Sequence, residues 1–141
     1  MDCVVKVVLL KGGLKPERQH RKDAGLDLKI PVSVRVESHS HAFVDTGVCI
    51  ELPKDTVGII KSRSSLNKKG FQCEGGVIDE NYRGSIGLIL YNHTDNPVTF
   101  MPGQRVAQLL VLPCLYPTVK VIGKLSESER GTNGFGSTGE V

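Results

Sequence analysis

Short runs rich in valine, isoleucine and leucine follow one another along almost the whole chain, each closed by glycine, proline, asparagine or aspartate. The runs are residues 4–10, 32–36, 48–52, 57–60, 86–91, 98–101, 106–112 and 119–122. Branched side chains of this kind suit a pleated surface, and about eight strands separated by such punctuation imply an all-β sandwich, barrel or jelly roll. No apolar period of 3.6 persists long enough for a major helix. One short helix is expected over residues 64–69, with a serine as its cap, lysines at its end and Gly70 as its stop.

At 141 residues the chain has room for one domain. Only one aliphatic, Val141, follows residue 125, so a body of residues 1–125 is expected to carry a glycine-rich tail over residues 126–141. Eighteen Lys and Arg against fifteen Asp and Glu give a net charge of +3, which suits an anionic small molecule and argues against a polybasic nucleic-acid arm. The apolar runs fall far below the ~20 residues of a membrane helix, and Met1-Asp2-Cys3 puts an acid where a secretion signal carries cations. An intracellular, cytoplasmic protein is expected, with Arg18 to Lys22 a weak hint of nuclear entry. Cys3, Cys49, Cys73 and Cys114 are scattered and read as free thiols, and the four histidines lack zinc spacing.

Three segments can carry chemistry. Glu129-Arg130-Gly131-Thr132-Asn133-Gly134-Phe135-Gly136-Ser137-Thr138-Gly139 offers backbone N–H groups, hydroxyls, a guanidinium and one aromatic ring to a phosphorylated ligand, although by itself a Gly-Ser tail is more often a plain chain end. Lys61-Ser62-Arg63-Ser64-Ser65 brings two hydroxyls and a guanidinium to the start of the short helix, and also reads as an ordinary capped helix with a solvated arginine. Gly75 to Gly87 reads as a hairpin, with residues 80–84 as its turn and residue 86 onward as its returning strand. Asp79 follows Val77-Ile78 and is a candidate general base for water, or else an Asp that accepts bonds from its own turn.

Five ordered motifs resemble the homotrimeric dUTPase family over almost the whole chain: Asp23-Ala24-Gly25-Leu26-Asp27-Leu28, Ser62-Arg63-Ser64-Ser65-Leu66, Gly76-Val77-Ile78-Asp79-Glu80-Asn81-Tyr82-Arg83-Gly84, Gly103-Gln104-Arg105-Val106-Ala107-Gln108-Leu109, and the tail from Arg130. The resemblance implies a distorted jelly roll of the dUTPase (β-clip) type, three copies around an axis, and active sites shared among them. It implies hydrolysis of dUTP to dUMP and pyrophosphate, which limits uracil in DNA and supplies dUMP for dTMP synthesis. Asp79 is then the base for the water that attacks the α-phosphorus, and Tyr82 packs under the deoxyribose.

By the same resemblance the backbone of Gly76, Val77, Ile78, Asp79, Glu80, Asn81 and Tyr82, with Gly87, reads uracil. Arg63, Ser64, Ser65 and Gln108 hold phosphates or the attacking water. Arg130, Gly136, Ser137 and Thr138 grip the γ-phosphate end from the tail of a neighbouring copy, while Phe135 stacks on the base. Mg²⁺ is expected on the triphosphate, with Asp27 touching its waters and no direct protein ligand. No nucleic-acid or membrane partner is implied, and a regulatory protein partner is compatible with the sequence. Asn81, Ser65 and Asn133 depart from commoner residues in the family. A dCTP deaminase shares the fold, but needs a glutamate on the returning strand, where Ile86-Gly87-Leu88-Ile89-Leu90 has none.

Overall fold

The computed structural model describes residues 3–136. Ten strands and one helix follow in the order β1 (Lys6–Leu9), β2 (Leu26–Lys29), β3 (Val34–Val36), β4 (Ser40–Glu51), β5 (Thr56–Ser62), α1 (Ser64–Lys68), β6 (Phe71–Glu74), β7 (Val77–Ile78), β8 (Ser85–Asn92), β9 (Val98–Phe100) and β10 (Arg105–Pro113). Two four-stranded sheets, ordered β1-β4-β8-β6 and β2-β10-β5-β7, and a β3-β9 pair form a distorted jelly roll. Every pairing between these strands is antiparallel.

The period of two places the core. Along β8, Ile86, Leu88, Leu90 and Asn92 are buried and the residues between them are partly exposed. Ile86, Leu88 and Leu90 join Val106, Ala107 and Leu109 of β10, Leu28 of β2 and Phe100 of β9 in one cluster drawn from all three sheets. Each large side chain so buried contributes roughly 1.5–3 kcal/mol. Asn92 is the polar exception and is fully satisfied: Nδ2 donates to the carbonyls of Val36 (3.2 Å) and Asn96 (2.7 Å), and Oδ1 accepts from Thr94 N (2.9 Å) and Oγ1 (2.7 Å).

β4 bulges where Asp45 pairs with Gly87 but Cys49 with Ser85. Thr46 fills the bulge, its Oγ1 donating to Ile86 O (2.8 Å) and accepting from Val48 N (3.1 Å). Gly47 takes φ +70° there and lies so close to Gly13 that a side chain on either would strike the other's backbone. The Asp45 carboxylate accepts from the Ser85 hydroxyl and from Gly47 N; these bonds hold its pKa below the usual carboxylate value and anchor the start of β8.

Three local expectations are corrected. Residues 119–122 form no strand: Val119 and Val121 are 88% and 94% exposed, because no sheet edge of the same chain meets them. The cap of α1 is Arg63 rather than a serine; it is extended (φ −79°, ψ 137°) and makes no side-chain capping bond, while Gly70 does stop the helix at φ +90°. The segment 75–87 is not a paired hairpin either, since β7 pairs with β5 in one sheet and β8 with β4 and β6 in the other. The chain reverses there, but it changes sheets as it does so.

Candidate active site

The order β2-β10-β5 makes Asp27, Gln108 and the end of β5 lateral neighbours, with Gln108 opposite both Asp27 and Lys61. Ser62 straps the end of β5 to β6, its Oγ donating to Cys73 O (2.9 Å) and accepting from Cys73 N (2.6 Å). Arg63, Ser64 and Ser65 therefore leave the sheet at a fixed point. A cleft of about 330 Å³ opens there, lined by these three residues, by Asp27 and Gln108, and by Gln19, Asp23, Ala24 and Gly25.

The buried charge of the cleft, Asp27, is paired. Asp27 is 9% exposed and lies 3.8 Å from Arg63 Nε through one oxygen and 3.4 Å from Arg105 Nε through the other. Arg63 Nη1 also donates to Arg105 O (3.4 Å), which turns the guanidinium along the cleft wall. The serines are exposed. Gln108 Nε2 donates to Ser62 O at 3.4 Å, a long bond that leaves the carboxamide oxygen free for another partner.

The second group of expected site residues lies elsewhere in the same chain. Ile78, the last residue of β7, pairs with Gly58, so Asp79 follows at the far end of β5, about six residues from Arg63. At ~3.3 Å per residue this is roughly 20 Å of strand. One chain brings Asp27, Arg63, Ser64, Ser65 and Gln108 together, and keeps Asp79 apart from them.

Asp79 is exposed, at the mouth of a fork. β6 follows β8 only as far as Glu74 opposite Ile89, so no described strand covers Gly87 on that side. β7 meanwhile is the edge of the other sheet. The fork thus presents two backbone edges with no neighbouring strand, residues 76–79 on one arm, where the Asp79 carbonyl is held by Tyr82 N, and Gly87 on the other. Tyr82 closes its end: its OH donates to Ser85 O (2.7 Å), its N to Asp79 O (3.0 Å), and its ring lies against Gly84, where a side chain would collide with it.

Glu80 and Asn81 take different parts. The Glu80 carboxylate accepts from Tyr116 OH (2.7 Å) and Asp55 N (2.9 Å). These bonds lower the Glu80 pKa and push Tyr116 up to about 12. Glu80 therefore holds the turn before β5, where Asp55 sits at φ +59°, and only its backbone remains for a ligand. Asn81 is exposed in the turn.

In the tail, Arg130 Nε donates to Asn133 O (2.6 Å) and Asn133 N to Arg130 O (3.2 Å), a local turn. Phe135 is fully exposed, and Gly136 has φ +79°. Ser137 and Thr138 lie outside the described residues.

Sequence reasoning did not single out Gln19, Asp23, Gly25 and Arg105 as site residues. Asp23, Gly25 and Arg105 stand inside the quoted motifs, so the signal was present for them; nothing in the local pattern marked Gln19. Among the described residues no group of three or more His, Cys, Asp or Glu is placed to hold a metal. The Asp27 carboxylate, engaged by two guanidiniums, fits an outer role toward a phosphate-bound cation better than direct ligation.

The arrangement matches known proteins. The family model for dUTPase covers residues 14–139. The deoxyuridine 5′-triphosphate nucleotidohydrolase of Clostridium tetani is 39% identical over 143 residues, 99% of each chain, and that of Picosynechococcus is 40% identical over 127 residues, 88% of this chain and 89% of the other. The dUTPase of Staphylococcus bacteriophage 80alpha with dUPNHPP superposes with a TM-score of 0.91 at 31% identity, covering 97% and 99% of the two chains. A variant of the phage phi11 dUTPase, described with a structural Mg(II) ion, gives 0.80 at 26% identity over 86% and 97%. With a family model spanning nearly all of it and relatives of like length, this chain belongs to the dUTPase family.

Proposed function

We propose that the chain hydrolyses dUTP to dUMP and pyrophosphate at a site assembled from several copies of itself. The observation that carries this reading is the convergence of Asp27, Arg63, Ser64, Ser65 and Gln108 on one cleft in a chain of this family. Two hydroxyls and a guanidinium there suit a phosphate chain.

The ~20 Å of strand between Arg63 and Asp79 requires that the base be supplied by another copy. A head-to-tail contact of this kind gives a ring where its rotation closes, and three copies around an axis, as the family resemblance implies, carry three equivalent sites. The fork of one copy receives the uracil, whose in-plane donors and acceptors meet the edges at residues 76–79 and Gly87 as an added strand would. A fork that closes on the edge of uracil in this way, as the family resemblance implies, excludes a 5-methyl group. Tyr82, held by Ser85 and Gly84, sets a rigid ring under the sugar and rejects a 2′-hydroxyl.

Asp79 accepts the proton of a water in line with the α-phosphorus, and pyrophosphate leaves. Mg²⁺, when bound on the triphosphate, would supply charge neutralisation for the leaving group, and Asp27 would accept hydrogen bonds from its waters. Arg63, Ser64 and Ser65 hold the phosphates in position. Arg130, Gly136, Ser137 and Thr138 of a third copy close over the γ-phosphate, and Phe135 stacks on the base, contributing ~1–3 kcal/mol.

Pyrophosphate release with Mg²⁺, measured for dUTP, dTTP, dCTP and UTP in parallel, tests the reading. Release from dUTP alone is expected; equal release from all four, or from none, contradicts it.

A further inference from the structure

The cleft has little positive charge of its own. Its charged lining is Asp23, Asp27 and Arg63, one acid in excess, and Arg105 behind Asp27 only restores neutrality. Residues 15–22, which lead into it, hold Lys15, Arg18, Arg21 and Lys22 against Glu17 alone, a net +3 that equals the formal net charge of the chain. The rest of the sequence is balanced. This basic cluster has no part in the function derived above.

Both ends of the stretch are pinned beside the cleft. Glu17 and Asp27 exchange backbone hydrogen bonds (2.8 and 3.4 Å), and the Glu17 carboxylate is 3.5 Å from Lys29 Nζ, so the one acid of the stretch is engaged by a lysine outside it. At the other end Asp23 N donates to His20 O (3.0 Å) and His20 N to Asp23 Oδ2 (3.0 Å). These bonds close a β-turn whose two central residues are Arg21 and Lys22. Lys15 and Arg18 line an apolar groove, and Arg18 is engaged by the turn itself, its Nε donating to Asp23 O (2.9 Å). Gln19 and Asp23, which bracket Arg21 and Lys22, line the cleft, and the two cations stand exposed at its edge.

We propose that the Arg21-Lys22 turn is a cationic rim that draws the polyphosphate end of the nucleotide into the cleft. The proposal rests on the dUTP-hydrolysing reading. A rim acts on encounter and leaves the chemical step alone, and its pull is screened over about 10 Å at 0.1 M salt. Arg21 and Lys22 are thus positioning residues, whose removal changes kcat/KM and its salt dependence and not kcat.

The test compares Arg21→Gln/Lys22→Gln with Lys11→Gln/Lys120→Gln, which removes the same charge from exposed positions outside the cleft. Steady-state turnover of dUTP and binding of α,β-imido-dUTP are measured from low to high salt. For the rim pair, kcat/KM and analogue affinity are expected to fall ~3–10-fold at low salt and to converge on wild type at ~0.5 M, with kcat and melting temperature unchanged. The control pair should stay within ~2-fold of wild type throughout. Equal losses in both pairs, or none in the rim pair, overturn the rim while wild-type turnover leaves the activity standing. Absence of wild-type turnover overturns the activity, and the binding arm still decides the rim.

Discussion

The Cα of Gly25 lies against the carboxamide of Gln108, so close that a β-carbon on residue 25 would overlap it. A glycine on the approach to β2 thereby sets the rotamer of a glutamine on β10, and the Gln108 side chain can occupy the cleft only because residue 25 has none. Gly25→Ala is expected to fold, to displace the carboxamide and to lower kcat about 10²-fold, the scale of an ångström-sized misplacement. Gln108→Ala should cost a similar factor, and the double variant little more than either, as two residues acting through one contact do. Steady-state kinetics of the three variants check this.

Asp79→Asn keeps the shape of the fork and removes the proton acceptor. Binding of α,β-imido-dUTP should stay near wild type, while kcat falls by about 10²–10⁴, the range of a positioned general base. Near wild-type turnover would show that the water is activated elsewhere.

Asn92 is fully buried and makes four hydrogen bonds. Asn92→Ala takes the side-chain donor from the Val36 carbonyl and the side-chain acceptor from Thr94 N and Oγ1, while the Asn96 carbonyl keeps Thr94 Oγ1 (3.0 Å), and a loss of about 3 kcal/mol is expected. The urea midpoint should fall at fixed protein concentration with the slope unchanged.

The Glu80–Tyr116 contact gives a pH signature. The carboxyl of Glu80 is held below its unfolded value, chiefly by the Tyr116 hydroxyl and then by Asp55 N. Its contribution is therefore complete above the usual carboxylate range and is lost as pH falls through the lowered value. Wild type should lose melting temperature on acidification more steeply than Glu80→Gln, and the two curves should run parallel above the carboxylate range. Equal slopes at acid pH would contradict the assignment.

The sequence made most of the sandwich legible because seven of its runs are rich in branched aliphatics and are closed by turn residues. Leu26-Asp27-Leu28-Lys29 escaped notice as β2 because its buried polar residue, Asp27, is paired by arginines that the strand itself does not contain. Residues 119–122 have the composition of a strand, but a strand also needs an edge, and composition does not say where one is. The motifs identified Arg63, Gln108, Asp27 and Asp79 individually. Which of them share a cleft was decided by the register of β10 against β2 and β5 and by the change of sheet after β6, neither of which follows from local spacing.

The separation of Asp79 from Arg63 along β5 is the centre of the account, and mixing two inactive variants tests it most directly. Arg63→Ala lacks the phosphate grip and Asp79→Asn lacks the base, yet a mixed ring contains sites where an intact cleft faces an intact Asp79. After unfolding and joint refolding of equal amounts, about a quarter of wild-type turnover is expected if copies associate at random around a closed three-fold ring. Turnover no higher than the sum of the two variants, in a preparation shown by mass spectrometry to contain mixed trimers, would mean that cleft and base belong to the same chain.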